Sequence, residues 1–246
     1  MMSGRRTLAT AGRVLAQLRH DKRTVALIII VPIVLETLLK WVYNSTPQVF
    51  NQIGLPLLGI FPLITMFLIT SVATLRERTS GTLERLLSMP MGKVDLILGY
   101  QVGFGLMAII QSLSATSVAV WMLGLDVAGP LWAAMLVSVL VAELGTALGL
   151  AVSAFARTEF QAVQFMPAIV MPQLLLCGLL APRDSMQTVL RGLSDVLPMS
   201  YAVDAMKAIT VESEVSGVTW RNMLIIAAFC AGGLILGAVT LRRRSE

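Results

Sequence analysis

The chain has 246 residues, 56% of them apolar and only 13% charged, with a mean hydropathy of +0.80 and a formal charge of +5. Soluble domains run near 45–50% apolar and about 25% charged, so this composition excludes most soluble folds. A 30 Å hydrocarbon core crossed at 1.5 Å per residue asks for roughly 20 apolar residues per helix, and six runs meet that requirement, at about 25–43, 53–75, 96–125, 129–155, 160–182 and 222–241. They are continuous and rich in Leu, Ala, Ile and Met rather than alternating, which predicts spanning helices and not barrel strands. The expected fold class is an all-α integral membrane protein with six transmembrane helices.

In chain order, residues 1–24 come first. Leu8, Ala11, Leu15 and Leu18 fall on one helical face and Arg6, Arg13 and His20 on the other, which predicts an amphipathic interfacial helix with its basic face toward lipid headgroups. The first run is followed by no small-residue cleavage site and is expected to stay as an anchor. Glu36 and Lys40, four residues apart within it, are placed for a local ion pair with Lys40 snorkelling outward.

Between the second and third runs, residues 76–95 form a polar loop. Within it Leu83, Leu86 and Leu87 make one apolar stripe, Thr82 is placed to cap the turn after Gly81, and Pro90 stops the run. So short an amphipathic helix is unstable alone, and its stripe flanked by charge suits insertion into a partner's groove. Glu143, near the middle of the fourth run, is costly in hydrocarbon and is expected to face the bundle interior, as a hydrogen-bonding strut or as the partner of a cationic amphiphile. Gly99 with Gly103, and Gly145 with Gly149, are small-x-x-x-small pairs suited to close helix packing. Cys177 and Cys230 lie in apolar runs and read as buried hydrophobes.

Residues 183–220 are acidic on balance. Met186, Val189, Leu190, Leu193, Val196 and Leu197 recur at helical spacing, Pro198 breaks the run, and Tyr201, Ala205, Met206 and Ile209 repeat it. Two short helices lying in the outer interface are expected. Residues 242–246 close the chain as a basic tail. Basic residues alternate along the chain, with six before the first run, none in 44–52, four in 76–95, none in 126–128, one in 156–159, three in 183–220 and three after the last run. Basic loops stay inside, so both termini and the 76–95 loop are expected in the cytoplasm. The pI near 9.7 then reflects topology and implies no nucleic-acid partner.

A phosphate-binding loop needs G-x-x-x-x-G-K-[ST]. The only Gly-Lys pair here, Gly92-Lys93, has Leu87 in place of the first glycine and Val94 in place of the hydroxyl residue. The single histidine supports neither a Ser-His-Asp site nor a His-based metal centre. ATP hydrolysis, catalysis and metal binding by this chain are therefore not expected.

The string ERTSGTLERLLSMP, from Glu77 to Pro90, resembles the E-R-x-x-G-T-x-E-x-L-x-x-x-P pattern of ABC type-2 exporter permeases, including the daunorubicin-resistance-like drug exporters. LPMSYAVDAMKAI, residues 197–209, is similar to the family's L-P-x-x-Y-x-x-D-x-x-x-x-I pattern, which places Pro198, Tyr201 and Asp204 in an external hairpin. The resemblance implies a permease that pairs with a second permease chain, the same or a relative, and couples to two ATPase subunits that hold ATP and Mg²⁺. It assigns Glu77, Arg78, Gly81, Thr82, Glu84, Arg85, Leu87 and Pro90 to the coupling element. It also implies that the second and fifth spans flank the export route, where Met66, Phe67, Thr70, Met166, Met171 and Gln173, with Glu143, are candidate path residues. The expected function is export of hydrophobic or amphipathic small molecules, drug, antibiotic or lipid, across a bacterial cytoplasmic membrane. The competing readings are an ion-coupled secondary transporter and a non-transporting sensor or immunity protein on the same scaffold.

Overall fold

The computed structural model describes residues 3–88 and 92–240, with Glu84 and Leu87 described in backbone only. Pro90 and the 242–246 tail lie outside the described residues. Among those described, the chain folds as ten α-helices and one 3-10 turn: α1 (Gly4–His20), α2 (Lys22–Val42), α3 (Pro47–Thr79), α4 (Thr82–Ser88), α5 (Lys93–Trp121), α6 (Leu131–Ser153), α7 (Glu159–Leu176), the turn Arg183–Ser185, α8 (Thr188–Asp195), α9 (Pro198–Val211) and α10 (Gly217–Thr240).

Five helices, α2, α3, α5, α6 and α10, are long and apolar enough to cross a membrane. The expected span at 160–182 differs. Its helix, α7, ends at Leu176, and Gly178 then takes a positive φ of 87° that turns the chain away. Eighteen residues rise about 27 Å, just short of the hydrocarbon core. Gln161, Gln164 and Gln173, with Glu159, Pro167 and Pro172, keep the eighteen residues of α7 below the hydropathy of the spanning segments in the other five.

At the centre, α6 packs against α3, α5 and α10. Lipid tails are as apolar as leucine, so helices in a membrane associate through close packing rather than the hydrophobic effect. The expected glycine pair does this work. A Cβ at Gly149 would stand 2.6 Å from the Phe67 carbonyl oxygen of α3, and one at Gly145 would stand 2.9 Å from the Leu63 Cα. Buried hydroxyls add cross-links: Ser138 Oγ donates to the Leu58 carbonyl at 2.8 Å, and Ser112 Oγ to the Ser138 carbonyl at 3.3 Å.

Three expectations are corrected. The helix α9 is not laid on a surface. Met199, Ala202, Val203, Ala205, Met206 and Ile209 are buried in the main core with residues of α3 and α6, because alanine and serine between the larger side chains let the helix sink between its neighbours. The buried stripe of α1 is Thr10, Ala11, Val14 and Leu18, while Leu8 is 67% exposed. That rotation seats α1 on α5, where Gly99 and Gly103 leave the room: a Cβ at Gly99 would meet Thr10, and one at Gly103 would stand 2.8 Å from the Val14 Cβ. Finally, Glu36 and Lys40 do not pair. Glu36 is fully buried, its carboxylate oxygens without hydrogen-bond partners among the described residues. Lys40 reaches instead to the start of α3, its Nζ 4.7 Å from the Phe50 ring centroid.

Candidate functional site

The expected coupling residues begin at the C-terminal end of α3, and there each of three consecutive charged side chains fastens a different helix. Arg76 Nε and Nη2 donate to the two Glu159 carboxylate oxygens at 2.7 and 2.9 Å, tying α3 to the start of α7. Glu77 receives Arg13 of α1 in fork geometry, Nη1 to Oε1 at 2.7 Å and Nη2 to Oε2 at 2.9 Å, and also the Tyr100 hydroxyl of α5. Arg78 Nη1 donates to the Ser153 carbonyl at the end of α6. Four helices thus converge on one turn of α3.

The Glu77–Arg13 pair is better protected than Arg76–Glu159, with side-chain exposures of 27% for Arg13 and 12% for Glu77 against 62% and 50%. Arg13 Nη2 also donates to the Tyr100 hydroxyl at 3.1 Å, and its guanidinium lies 5.6 Å from the Tyr100 ring centroid. A bidentate arginine–carboxylate pair has geometric specificity that a lysine would lack. One turn earlier along α5, Asp95 accepts from the Ser3 amide at 3.0 Å and the Gly92 amide at 3.4 Å, fixing the start of α1 to the start of α5.

Directly after the hub the chain reverses into α4. Ser80 closes α3, and Gly81 follows with φ +74°, a left-handed conformation that glycine adopts without a Cβ clash. Thr82 is the first residue of α4 rather than its cap, and its hydroxyl lies 3.0 Å from that of Ser80. Leu83 and Leu86 are buried in an apolar cluster with Val14 and Leu18 of α1 and Leu96, Ile97 and Tyr100 of α5. Arg85 is exposed. The side chains of Glu84 and Leu87, and Pro90 as a whole, lie outside the described residues. Leu83 and Leu86 thus face the protein's own core, in the same apolar cluster as residues of the two helices that Glu77 binds.

The seven candidate path residues are not brought together. Met66 is buried in the α1–α5 cluster, and Phe67 and Thr70 are closed in by Gly149 of α6. On α7, Met166 packs partly against the main core, Met171 is 41% exposed, and Gln173 is buried with its Nε2 donating to the Ile169 carbonyl at 3.0 Å. Glu143 turns inward as expected: its carboxylate lies against Gly105 of α5 and accepts from Gln101 Nε2. The physical reason for the dispersal is helical phase, since Met66, Phe67 and Thr70 lie on the face of α3 that α6 and the α5 cluster cover.

At the opposite end of the bundle, Arg183 bridges Asp195 of α8 and Asp204 of α9. Pro198 starts α9, and the Tyr201 hydroxyl donates to the Asp195 carbonyl. Burial raises the Asp204 carboxyl above its ordinary value, and Arg183 partly offsets this. Sequence patterning misses Arg13, Tyr100, Ser153 and Glu159 as partners of the hub. Helical periodicity puts Arg13 on the lipid-facing side, and nothing in it marks a carboxylate 64 positions away.

The ABC-2 type transporter family model matches residues 6–211. The chain is 27% identical over 180 residues to the probable multidrug ABC transporter permease YbhS of Escherichia coli K12, covering 73% of this chain and 48% of that protein. It is 28% identical over 213 residues to the inner membrane transport permease YhhJ of the same organism, covering 85% and 55% respectively. Over 184 residues it is 27% identical to ABC transporter G family member 20 of Dictyostelium discoideum, covering 72% of this chain and 25% of that one. The chain spans about half the length of these bacterial relatives. A match over most of the length, on a helical membrane fold whose third helix ends in the charged hub, leads to one assignment: this chain is a multi-pass membrane protein of the ABC-2 type transporter family.

Proposed function

We propose that the chain is the permease subunit of an ATP-driven exporter that moves hydrophobic or amphipathic small molecules outward across a bacterial cytoplasmic membrane. It works with a second permease chain and two ATPase subunits, which carry the ATP and Mg²⁺; this chain hydrolyses no ATP. The topology in this reading is six-spanning, with α7 completing a short fifth crossing and both termini cytoplasmic, which the alternation of basic loops supports. α1 then lies at the cytoplasmic surface, and α8 and α9 lie on the outer side.

The observation that carries this reading is the hub itself. A push on α4 from a cytoplasmic ATPase is delivered through Gly81 to Arg76, Glu77 and Arg78, which hold α7, α1 with α5, and α6. Motion of one short helix is thereby shared among the spans without a long lever.

The test is transport by the full chain co-expressed with the ATPase that copurifies from its native membrane, read as ATP-dependent dye movement in inverted vesicles. Gly81→Val strains the turn that joins α3 to α4, so the complex should assemble and lose transport. Unchanged transport in that variant removes α4 from coupling. Isolation with no ATPase, or dye movement driven by an ion gradient alone, overturns the exporter reading.

A further inference from the structure

Beside the hub, a cleft of about 610 Å³ opens between α1, α2 and α3, with α5 at its back. Its volume falls in the range of sites that hold a small organic ligand, roughly 300–1,000 Å³. Along α3 it runs from Ile64 to Glu77, a rise of thirteen residues or about 20 Å. That covers one leaflet's share, about 15 Å, of a 30 Å hydrocarbon core and reaches past it toward the headgroups. The wall is apolar at Val31, Leu68, Val72 and Phe104 and polar at the end marked by Asp21 and Arg76. Leu27 of α2, also in the wall, is 58% exposed, so the mouth opens on the flank where Ile30 and Val34 are bare as well.

The charges at the polar end identify an occupant. Asp21 and Arg76 carry opposite signs there, and Glu77, already paired to Arg13, also lines it. Arg76 spends Nε and Nη2 on Glu159, which leaves Nη1 to donate elsewhere. Asp21 accepts from the Thr24 amide at 3.1 Å and the Thr24 hydroxyl at 2.6 Å, with its carboxylate still largely open to solvent.

We propose that this cleft binds a zwitterionic phospholipid of the leaflet in which α1 lies, with one acyl chain along Val31, Leu68, Val72 and Phe104, the phosphate at Arg76 and the ammonium at Asp21. The lipid lies against α1 and the hub at once, so it couples the state of the membrane to the helix ends that the hub gathers. The proposal does not depend on the exporter reading.

The test uses the full chain in nanodiscs containing a phosphatidylethanolamine probe with a photoreactive group in its acyl chain, with the labelled peptides mapped by mass spectrometry. Label should concentrate at residues 24–31 and 64–76. It should fall in Leu68→Trp, which fills the groove. Asp21→Asn keeps a capping side chain, so the fold is retained while the preference for phosphatidylethanolamine over phosphatidylglycerol drops about tenfold, the loss expected for one charge-assisted contact. Helix content and a monodisperse elution profile of each variant separate loss of the site from loss of the fold. Equal labelling of the bare face of α10, around Leu224 and Val239, overturns the site, because it marks annular lipid only. Equal competition by phosphatidylglycerol or diacylglycerol overturns the zwitterionic assignment. Displacement by a neutral hydrophobic dye but not by phosphatidylethanolamine makes the cleft a small-molecule site instead.

Discussion

Replacing Glu77 by glutamine should loosen α1 from the bundle. In the native chain the carboxylate accepts two hydrogen bonds from Arg13 and one from Tyr100. The amide that replaces it retains one acceptor oxygen and leaves the guanidinium without its counter-charge. Fully exposed ion pairs contribute about 0–1 kcal/mol, and hydrogen bonds to charged groups about 1.5–3 kcal/mol. With side-chain exposures of 27% and 12%, the pair falls between these limits, so a loss of about 2 kcal/mol is reasonable, or roughly thirtyfold in the ratio of docked to undocked α1. A helix of this length has little stability once it leaves its partner, so undocking also exposes its amides.

Hydrogen exchange of the full chain in nanodiscs reads that ratio directly. Amides of α1 should exchange roughly thirtyfold faster in Glu77→Gln, while those of α6 stay close to wild type. Arg13→Lys keeps the charge but loses the fork and should give an intermediate rate. Arg85→Gln, at an exposed position of α4, should leave α1 unchanged. The decisive comparison is the double-mutant cycle of Arg13→Ala with Glu77→Ala. If the two effects simply add, or if α1 protection in Glu77→Gln equals that of wild type, the cluster is not what holds α1 and the reasoning fails.

Gly149→Ala places a Cβ 2.6 Å from the Phe67 carbonyl oxygen and should destabilise the α3–α6 packing by about 1–3 kcal/mol, whereas Gly232→Ala, which meets nothing within 4 Å, should melt like wild type in detergent. Asp21→Ala removes the cap of α2 and should cost about 1 kcal/mol, seen as faster exchange in its first turn. The Thr24 hydrogen bonds hold the Asp21 carboxyl below its ordinary 3.8, so that contribution is present above 3.8 and is lost as pH falls through the folded value. Asp204 has the opposite sign: burial holds its carboxyl above 3.8, so its effect on stability is most favourable below 3.8 and declines as pH rises through the folded value. Arg183→Met should push that carboxyl higher still, so thermal melts on either side of the window should diverge more than in wild type.

The spanning helices were legible because continuous apolar runs are the one feature a bilayer demands of every residue in turn. Residues 25–43, 53–75, 96–125, 129–155 and 222–241 all lie mainly within helices that are long and apolar enough to cross. Their ends were less legible. α3 continues to Thr79, well past the last apolar residue, because its terminal charges have partners in other helices. The run at 160–182 stops early, because the φ of Gly178 is a property of the turn and not of hydropathy. The burial of α9 was not legible either. Its small residues are neutral on a hydropathy count and decisive only once a neighbouring helix is present to sink against.

The hub shows what a motif can and cannot convey. Successive residues of an α-helix project about 100° apart, so Arg76, Glu77 and Arg78 cannot serve one neighbour. Three adjacent charges at a helix end must either face solvent or reach three different elements. Here they do the latter, and the partners are a carboxylate in α7, a guanidinium and a phenol in α1 and α5, and a backbone carbonyl in α6. The order of charges, Arg76 and then the ERTSGT string, therefore matches where the partner groups of four other helices lie, which is information the string itself does not contain. The same geometry explains why periodicity misplaces Arg13. On α1 it lies beside residues of the buried stripe at the margin of the polar face, and only the arrival of Glu77 decides whether it turns outward or in. Exchanging the first two charges, by Arg76→Glu together with Glu77→Arg, would keep the composition and the local helix. It would nonetheless set a carboxylate against Glu159 and a guanidinium against Arg13, so like charges would meet at both contacts.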